Sequence, residues 1–184
     1  GSWPGSQVPG PGPNNILYIC VYIYVYIVNM YIHVSVYIIF YMINWGIVGL
    51  GRMGNIFANS INEVENSRLV GVASKSNYKL DTFVKNFNLE SKSKFINYED
   101  LIKSDKIDAV YISTLNNTHI DLILDCVKNN KKILCEKPIG LNLHQANLAF
   151  EAIISNNICF YEAIAYRSHP QTKNLLELIN DGEI

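Results

Sequence analysis

No charged side chain occurs between Gly1 and Gly51; the 15 basic and 16 acidic residues all lie from Arg52 onward. The two signs nearly cancel, leaving a net charge of −1. That balance offers no basic field to nucleic acid or to an anionic membrane, and neither is expected as a partner. The four cysteines, Cys20, Cys126, Cys135 and Cys159, form no CxxC pair and no metal-ligand spacing, so no metal site is expected. Buried free thiols in a reducing, cytoplasmic compartment are the simpler reading. No internal repeat is visible.

Where charge is missing, two unusual stretches stand. Residues 1–15 are mostly Gly, Pro, Ser and Asn, which cannot bury enough apolar surface to offset chain entropy; a disordered or artificial leader is predicted. Residues 16–42 form an apolar, low-complexity run, interrupted only by Asn29, His33 and Ser35. Its length suits a membrane span, which needs about 20 apolar residues. Its tyrosines, however, are spread throughout instead of gathered at two interfaces, and no Lys or Arg precedes it. The run also passes straight into the first strand of the following domain. The repeated Tyr, Ile and Val of Tyr18–Val28 therefore points to a non-native leader in preference to a membrane anchor or an added strand or hairpin.

From Ile43 onward, short apolar runs alternate with helix-period segments. Ile43–Val48, Arg68–Ala73, Lys94–Ile96, Asp108–Ser113, Lys131–Cys135 and Ile158–Glu162 read as strands. Leu80, Phe83, Val84 and Phe87 fall at i, i+3, i+4 and i+7, as do Ile120, Ile123, Leu124 and Val127. Leu143, Ala146, Phe150 and Ile153 stripe a further helix. Such alternation implies an α/β fold, a Rossmann-type doubly wound parallel sheet over residues 43–162.

Gly49-Leu50-Gly51-Arg52-Met53-Gly54 is a GxGxxG run between a strand and a helix whose inner face reads as Phe57, Ile61 and Val64. In that context the first glycine allows a tight turn, the second lets backbone approach a pyrophosphate, and the third lets helix and strand close together. An NAD-preferring site places an acid at the end of the second strand, about 20 residues on. This chain lacks one there and reads Ser74-Lys75-Ser76. A hydroxyl from Ser74 and charge from Lys75 suit a 2′-phosphate, with Arg52 as a second cation, so NADP is expected over NAD.

The fourth strand ends in Ser113-Thr114-Leu115-Asn116-Asn117-Thr118-His119, at the switch point where ligands bind in such sheets. Asn116 suits a ribose or carboxamide, while Asn117 or Thr118 could equally serve as a helix N-cap and His119 as a first-turn residue. The fifth strand ends in Glu136-Lys137-Pro138. At a strand edge, Lys137 would face the cleft, where a lysine can take or relay the proton of an alcohol being oxidised. Glu136 could hold the lysine or a ribose hydroxyl, and Pro138 restrains Lys137 to an extended backbone. The same three residues also suit a plain surface turn.

Taken together, the glycine turn, Val70–Ser76, Tyr98-Glu99-Asp100-Leu101, Asp108–His119, Glu136-Lys137-Pro138 and the run Glu162–Pro170 resemble the glucose–fructose oxidoreductase/inositol dehydrogenase/rhizopine catabolism (Gfo/Idh/MocA) family. The resemblance implies a two-domain NAD(P)-dependent oxidoreductase acting on a sugar, polyol or diol, and a homo-oligomer for the parent protein. It implies that Lys137 is the catalytic lysine, that Glu136, Asn116 and His119 line the cofactor, and that Arg167 lies near its nicotinamide end. Ser74-Lys75 looks like the NADP-preferring branch of dihydrodiol and xylose dehydrogenases. Leu115 departs from the family, which often has proline there. Residues 163–184 read as the start of a truncated substrate domain, with Leu175, Leu176, Leu178 and Ile179 on a helix lacking its packing partners. The alternatives are a non-catalytic NADP-binding regulatory protein and a truncated, inactive fragment.

Overall fold

The structure is a computed structural model that describes residues 42–184; the leader and nearly all of the apolar run lie outside the described residues. Six strands form: β1 (Ile43–Val48), β2 (Ser67–Ala73), β3 (Lys94–Phe95), β4 (Ala109–Ile112), β5 (Lys132–Cys135) and β6 (Phe160–Glu162). All pair in parallel, in the order β3-β2-β1-β4-β5-β6. Between them run α1 (Arg52–Ile61), α2 (Asn77–Asn86), α3 (Tyr98–Lys103), α4 (His119–Lys128) and α5 (Leu143–Ser155), and α6 (Pro170–Asn180) follows β6. The chain order reverses between β1 and β4, so the loops after these two strands part there and open a crevice at the carboxyl edge.

Side-chain alternation along the strands explains why both faces are covered. Ile47, Val72 and Tyr111 pack on one side with Ala58 and Phe83 of α1 and α2. Val48, Ala73, Val110 and Ile112 pack on the other with Leu101, Ile123 and Ile153 of α3, α4 and α5. Asn88, Asn130 and Asn157, just past the ends of α2, α4 and α5, each take a φ of 51 to 53°, the left-handed conformation that stops a helix and that asparagine tolerates. Among the described residues, no helix is long and apolar enough to cross a membrane.

The helical stripes differ from the sequence reading in three places. Helix α1 ends at Ile61, so Val64 lies beyond it and is exposed, while Gly54 and Ala58 complete the buried face. In α4, Leu124 is partly exposed and Leu122 buried instead. In α5, Leu143 and Phe150 face outward; Ala149 is buried, and Ala146 and Ala152 pack beside it. Small side chains let that helix sit close to its neighbours, which a count of bulky apolar positions does not anticipate. The cysteines also divide: Cys126 and Cys135 are buried free thiols, but Cys159 is exposed, and Cys20 lies outside the described residues. The apolar side chains Leu175, Leu176, Leu178 and Ile179 of α6 are exposed.

Lys131, which precedes β5, is buried and turns back to cap the chain beneath the sheet. Its ammonium donates to the Ser104 carbonyl at 2.9 Å and the Ile107 carbonyl at 2.8 Å. Lys131→Met is expected to leave both oxygens without this donor and to cost about 2–4 kcal/mol of stability, read from urea denaturation. An unchanged unfolding midpoint would contradict that role.

Candidate active site

The three glycines of the first turn are held to different requirements. Gly49 has a φ of +97°, and a Cβ added there would stand 2.6 Å from the Ser113 carbonyl oxygen. A Cβ on Gly54 would stand 2.5 Å from the Gly49 oxygen, where strand and helix meet. Gly51 is different. Its φ of −90° and ψ of −163° suit any residue, and an added Cβ would meet nothing within 4 Å. Nothing in the described fold requires glycine at that position; the open space above it does have a use if another molecule approaches the backbone. No side chain caps α1 and no acid lies in its first turn, so the leading N–H groups have no side-chain acceptor. The Ser113 hydroxyl donates to the Gly49 oxygen at 2.7 Å and ties the turn to the end of β4.

Two cavities flank this turn. The smaller, about 450 Å³, is lined by Gly49, Leu50 and Gly51, by Ser74, Lys75, Ser76 and Lys79, and by Tyr98 and Ser113–Leu115. It contains no acidic side chain. The Lys75 ammonium stands 5.6 Å from the centre of the Tyr98 ring. Ser74 is buried, and its hydroxyl oxygen accepts from the Ser76 N–H at 3.2 Å, leaving its own proton to donate. The larger cavity, about 760 Å³, is lined by Met53 and Phe57 of α1 and by Tyr111, Glu136, Lys137 and Glu162, among others.

At the larger cavity the turn after β5 is clamped from three directions. The Tyr111 hydroxyl donates to Glu136 Oε1 at 2.5 Å. His119 Nδ1 lies 2.8 Å from the Pro138 carbonyl oxygen, which can only accept, so the proton of that bond sits on Nδ1. The Ile139 N–H donates to Glu162 Oε1 at 2.8 Å. Lys137, joined to Pro138 by a cis peptide bond, is exposed at the centre of these clamps and has no hydrogen-bond or ion-pair partner among the described residues. Burial, followed by the hydrogen bond and charge of Glu136, pushes the Tyr111 phenol far above its ordinary range. Burial, with Glu162 and Glu136, likewise pushes the Cys135 thiol up to about 12, so it stays neutral beneath the turn.

The remaining expected site residues are distributed unevenly. His119 is fully buried, with Nε2 facing the Thr114 carbonyl at 3.3 Å. It joins the loops after β4 and β5 and lines neither cavity. Asn116 is exposed on a 3₁₀ turn, Asn116–Thr118, outside both cavity linings. Thr118 occupies the N-cap position of α4, but its hydroxyl goes to Thr114 and to the Leu115 oxygen. Arg52 and Arg167 are exposed and line neither cavity. Sequence reasoning gave no role to Tyr111, Glu162, Tyr98 or Lys79, although Tyr98 and Glu162 stand in the runs that carry the family resemblance. For Tyr111 a signal exists: it stands two residues before Ser113, on the same face of the strand.

Residues 43–163 match the Gfo/Idh/MocA model, described as an oxidoreductase family with an NAD-binding Rossmann fold. The chain belongs to this family. It is 28% identical over 142 residues to the trans-1,2-dihydrobenzene-1,2-diol dehydrogenase of Xenopus tropicalis, covering 76% of this chain and 42% of that protein. It is 27% identical over 139 residues to the myo-inositol 2-dehydrogenase of Thermotoga maritima, covering 76% and 41%. Among solved structures, it resembles the scyllo-inositol dehydrogenase of Lactobacillus casei with bound NAD(H) and scyllo-inositol, with a TM-score of 0.73, 28% identity, and coverage of 78% of this chain and 42% of that one. The Gfo/Idh/MocA chain described here thus spans less than half the length of these relatives.

Proposed function

We propose that this domain binds NADP and, within an enzyme of full family length, serves hydride transfer to or from the CH–OH group of a sugar, polyol or diol. The observation that carries the reading is the pair of cavities joined by the glycine turn, with free N–H groups and the open space over Gly51 between them. A dinucleotide is two mononucleotides joined by a pyrophosphate, and this arrangement suits one half in each cavity. The acid-free smaller cavity takes the adenosine half. Ser74, Lys75, Ser76 and Lys79 there supply hydroxyl donors and two ammonium groups for a 2′-phosphate, and no carboxylate to pair the two hydroxyls of an unphosphorylated ribose. The Tyr98 ring borders the same space.

Lys137 would then stand at the nicotinamide half, and a bound dinucleotide would supply the hydride acceptor or donor. Oxidising an alcohol also requires the hydroxyl proton to leave as the carbonyl forms. Neutral Lys137 accepts that proton at Nζ; in the reverse direction its ammonium returns one to the developing alkoxide. The clamps on Glu136, Pro138 and Ile139 fix the backbone that carries it. Similarity to diol and inositol dehydrogenases supports the substrate class.

Calorimetry tests the cofactor reading on this chain directly. NADP(H) is expected to bind at least about tenfold tighter than NAD(H), a difference of about 1.4 kcal/mol. Equal or reversed affinities would remove the role given to Ser74 and Lys75.

A further inference from the structure

Glu136 and Lys137 are consecutive residues of opposite charge at one cleft, yet no ion pair joins them among the described residues. The partner that Glu136 has instead comes from β4. Tyr111 lies under the cleft with its ring 4.1 Å from that of Phe57, and its hydroxyl meets Glu136 Oε1 at 2.5 Å. We propose that Tyr111 is a positioning residue: by donating to Glu136 it anchors that carboxylate and withholds it from Lys137. The inference rests on Lys137 being the proton-handling group of the proposed function.

The surrounding groups support this assignment. The titratable side chains lining the cleft with Lys137 are Glu136, Glu162, Tyr111, Tyr161 and Tyr166. Each carboxylate has one oxygen engaged, Glu162 by the Ile139 N–H and Glu136 by the Tyr111 hydroxyl. Only the second depends on a replaceable side-chain donor. Because burial and Glu136 keep the phenol protonated, that donor is present throughout the working range. A released Glu136 would be free to pair with the adjacent ammonium, and an opposite charge at such range favours the charged form of lysine, which cannot take a proton.

The experiment is competitive acetylation of Lys137 across pH, followed by peptide mass spectrometry, on the wild-type chain, Tyr111→Phe, Glu136→Gln and the double variant. Phenylalanine keeps the ring contact with Phe57, and thermal melts check that each chain folds. In Tyr111→Phe, the Lys137 midpoint is expected to rise by at least about one pH unit, lowering the labelling rate about tenfold on the acid side. With glutamine at 136, adding Tyr111→Phe should shift the midpoint no further. Glu136→Gln alone should leave the midpoint within about half a pH unit of wild type, because a withheld carboxylate contributes little, and this measurement does not depend on the phenylalanine variant; a fall of about one unit or more would show that Glu136 already pairs with Lys137 and would overturn the proposal. An unmoved midpoint in Tyr111→Phe, or the same rise in the glutamine background, would overturn the proposal. Protection of Lys137 by NADP(H) is a separate readout: its loss, with the midpoint shift intact, would count against the cofactor reading and leave the Tyr111–Glu136 coupling standing.

Discussion

Replacing Lys137 with alanine, in an enzyme of full family length built on this domain, is expected to lower kcat by about 10²–10⁴-fold, the range typical of a lost general acid or base. Dinucleotide affinity should change little, because Lys137 does not line the smaller cavity, where the glycine turn, Ser74 and Lys75 supply the phosphate contacts. Lys137→Arg should be nearly as slow: a guanidinium keeps its proton throughout the working range and cannot act as the base. Following nicotinamide absorbance with a vicinal diol or cyclic polyol reads both variants. Unchanged kcat in the alanine variant would remove Lys137 from the chemistry, and full activity in the arginine variant would show that charge alone is what the site needs.

The second large effect separates a ligand's requirement from the fold's. Gly51→Ala adds a Cβ that meets no protein atom within 4 Å, so stability should fall by less than about 1 kcal/mol, the scale of an N-cap change. Dinucleotide affinity should nevertheless fall at least about tenfold, because the methyl group occupies the space through which the pyrophosphate reaches the backbone. Gly49→Ala should behave differently, since its Cβ meets the Ser113 carbonyl at 2.6 Å and its φ of +97° disfavours a side chain. We expect it to cost about 2–4 kcal/mol and to weaken binding through displacement of the turn. Thermal melts with calorimetry on the two variants distinguish these patterns. Undiminished affinity in Gly51→Ala would contradict pyrophosphate binding at the turn.

Much of this arrangement was legible because its signals are local. Strand β1 and its glycine turn, the acid-free end of β2 and the Glu136–Pro138 edge each announce themselves within a few residues. The doubly wound sheet follows from strand–helix alternation alone, and β1 occupies the residues expected, Ile43–Val48. What local pattern could not supply is the partner of a side chain across the fold. His119 reads as a polar residue near a ligand loop, whereas its bond to Pro138, 19 residues away, makes it a buried tie between loops. Tyr111 reads as one more strand residue until the Glu136 carboxylate, 25 residues on, is found beside its hydroxyl. The α5 stripe is legible by half: Ala146 and Ile153 pack inward as expected, beside Ala149 and Ala152, while the bulky Leu143 and Phe150 are left outside.

The central claim is that a nicotinamide dinucleotide spans the two cavities with its nicotinamide end at Lys137. Protection of Lys137 from acetylation, measured on this chain with and without ligand, tests it most directly. Saturating NADP(H) should slow Lys137 labelling strongly, while adenosine 2′,5′-bisphosphate, which carries only the adenosine half, should bind and leave Lys137 reactive. Lys137 labelled at an unchanged rate under saturating NADP(H) would contradict the account.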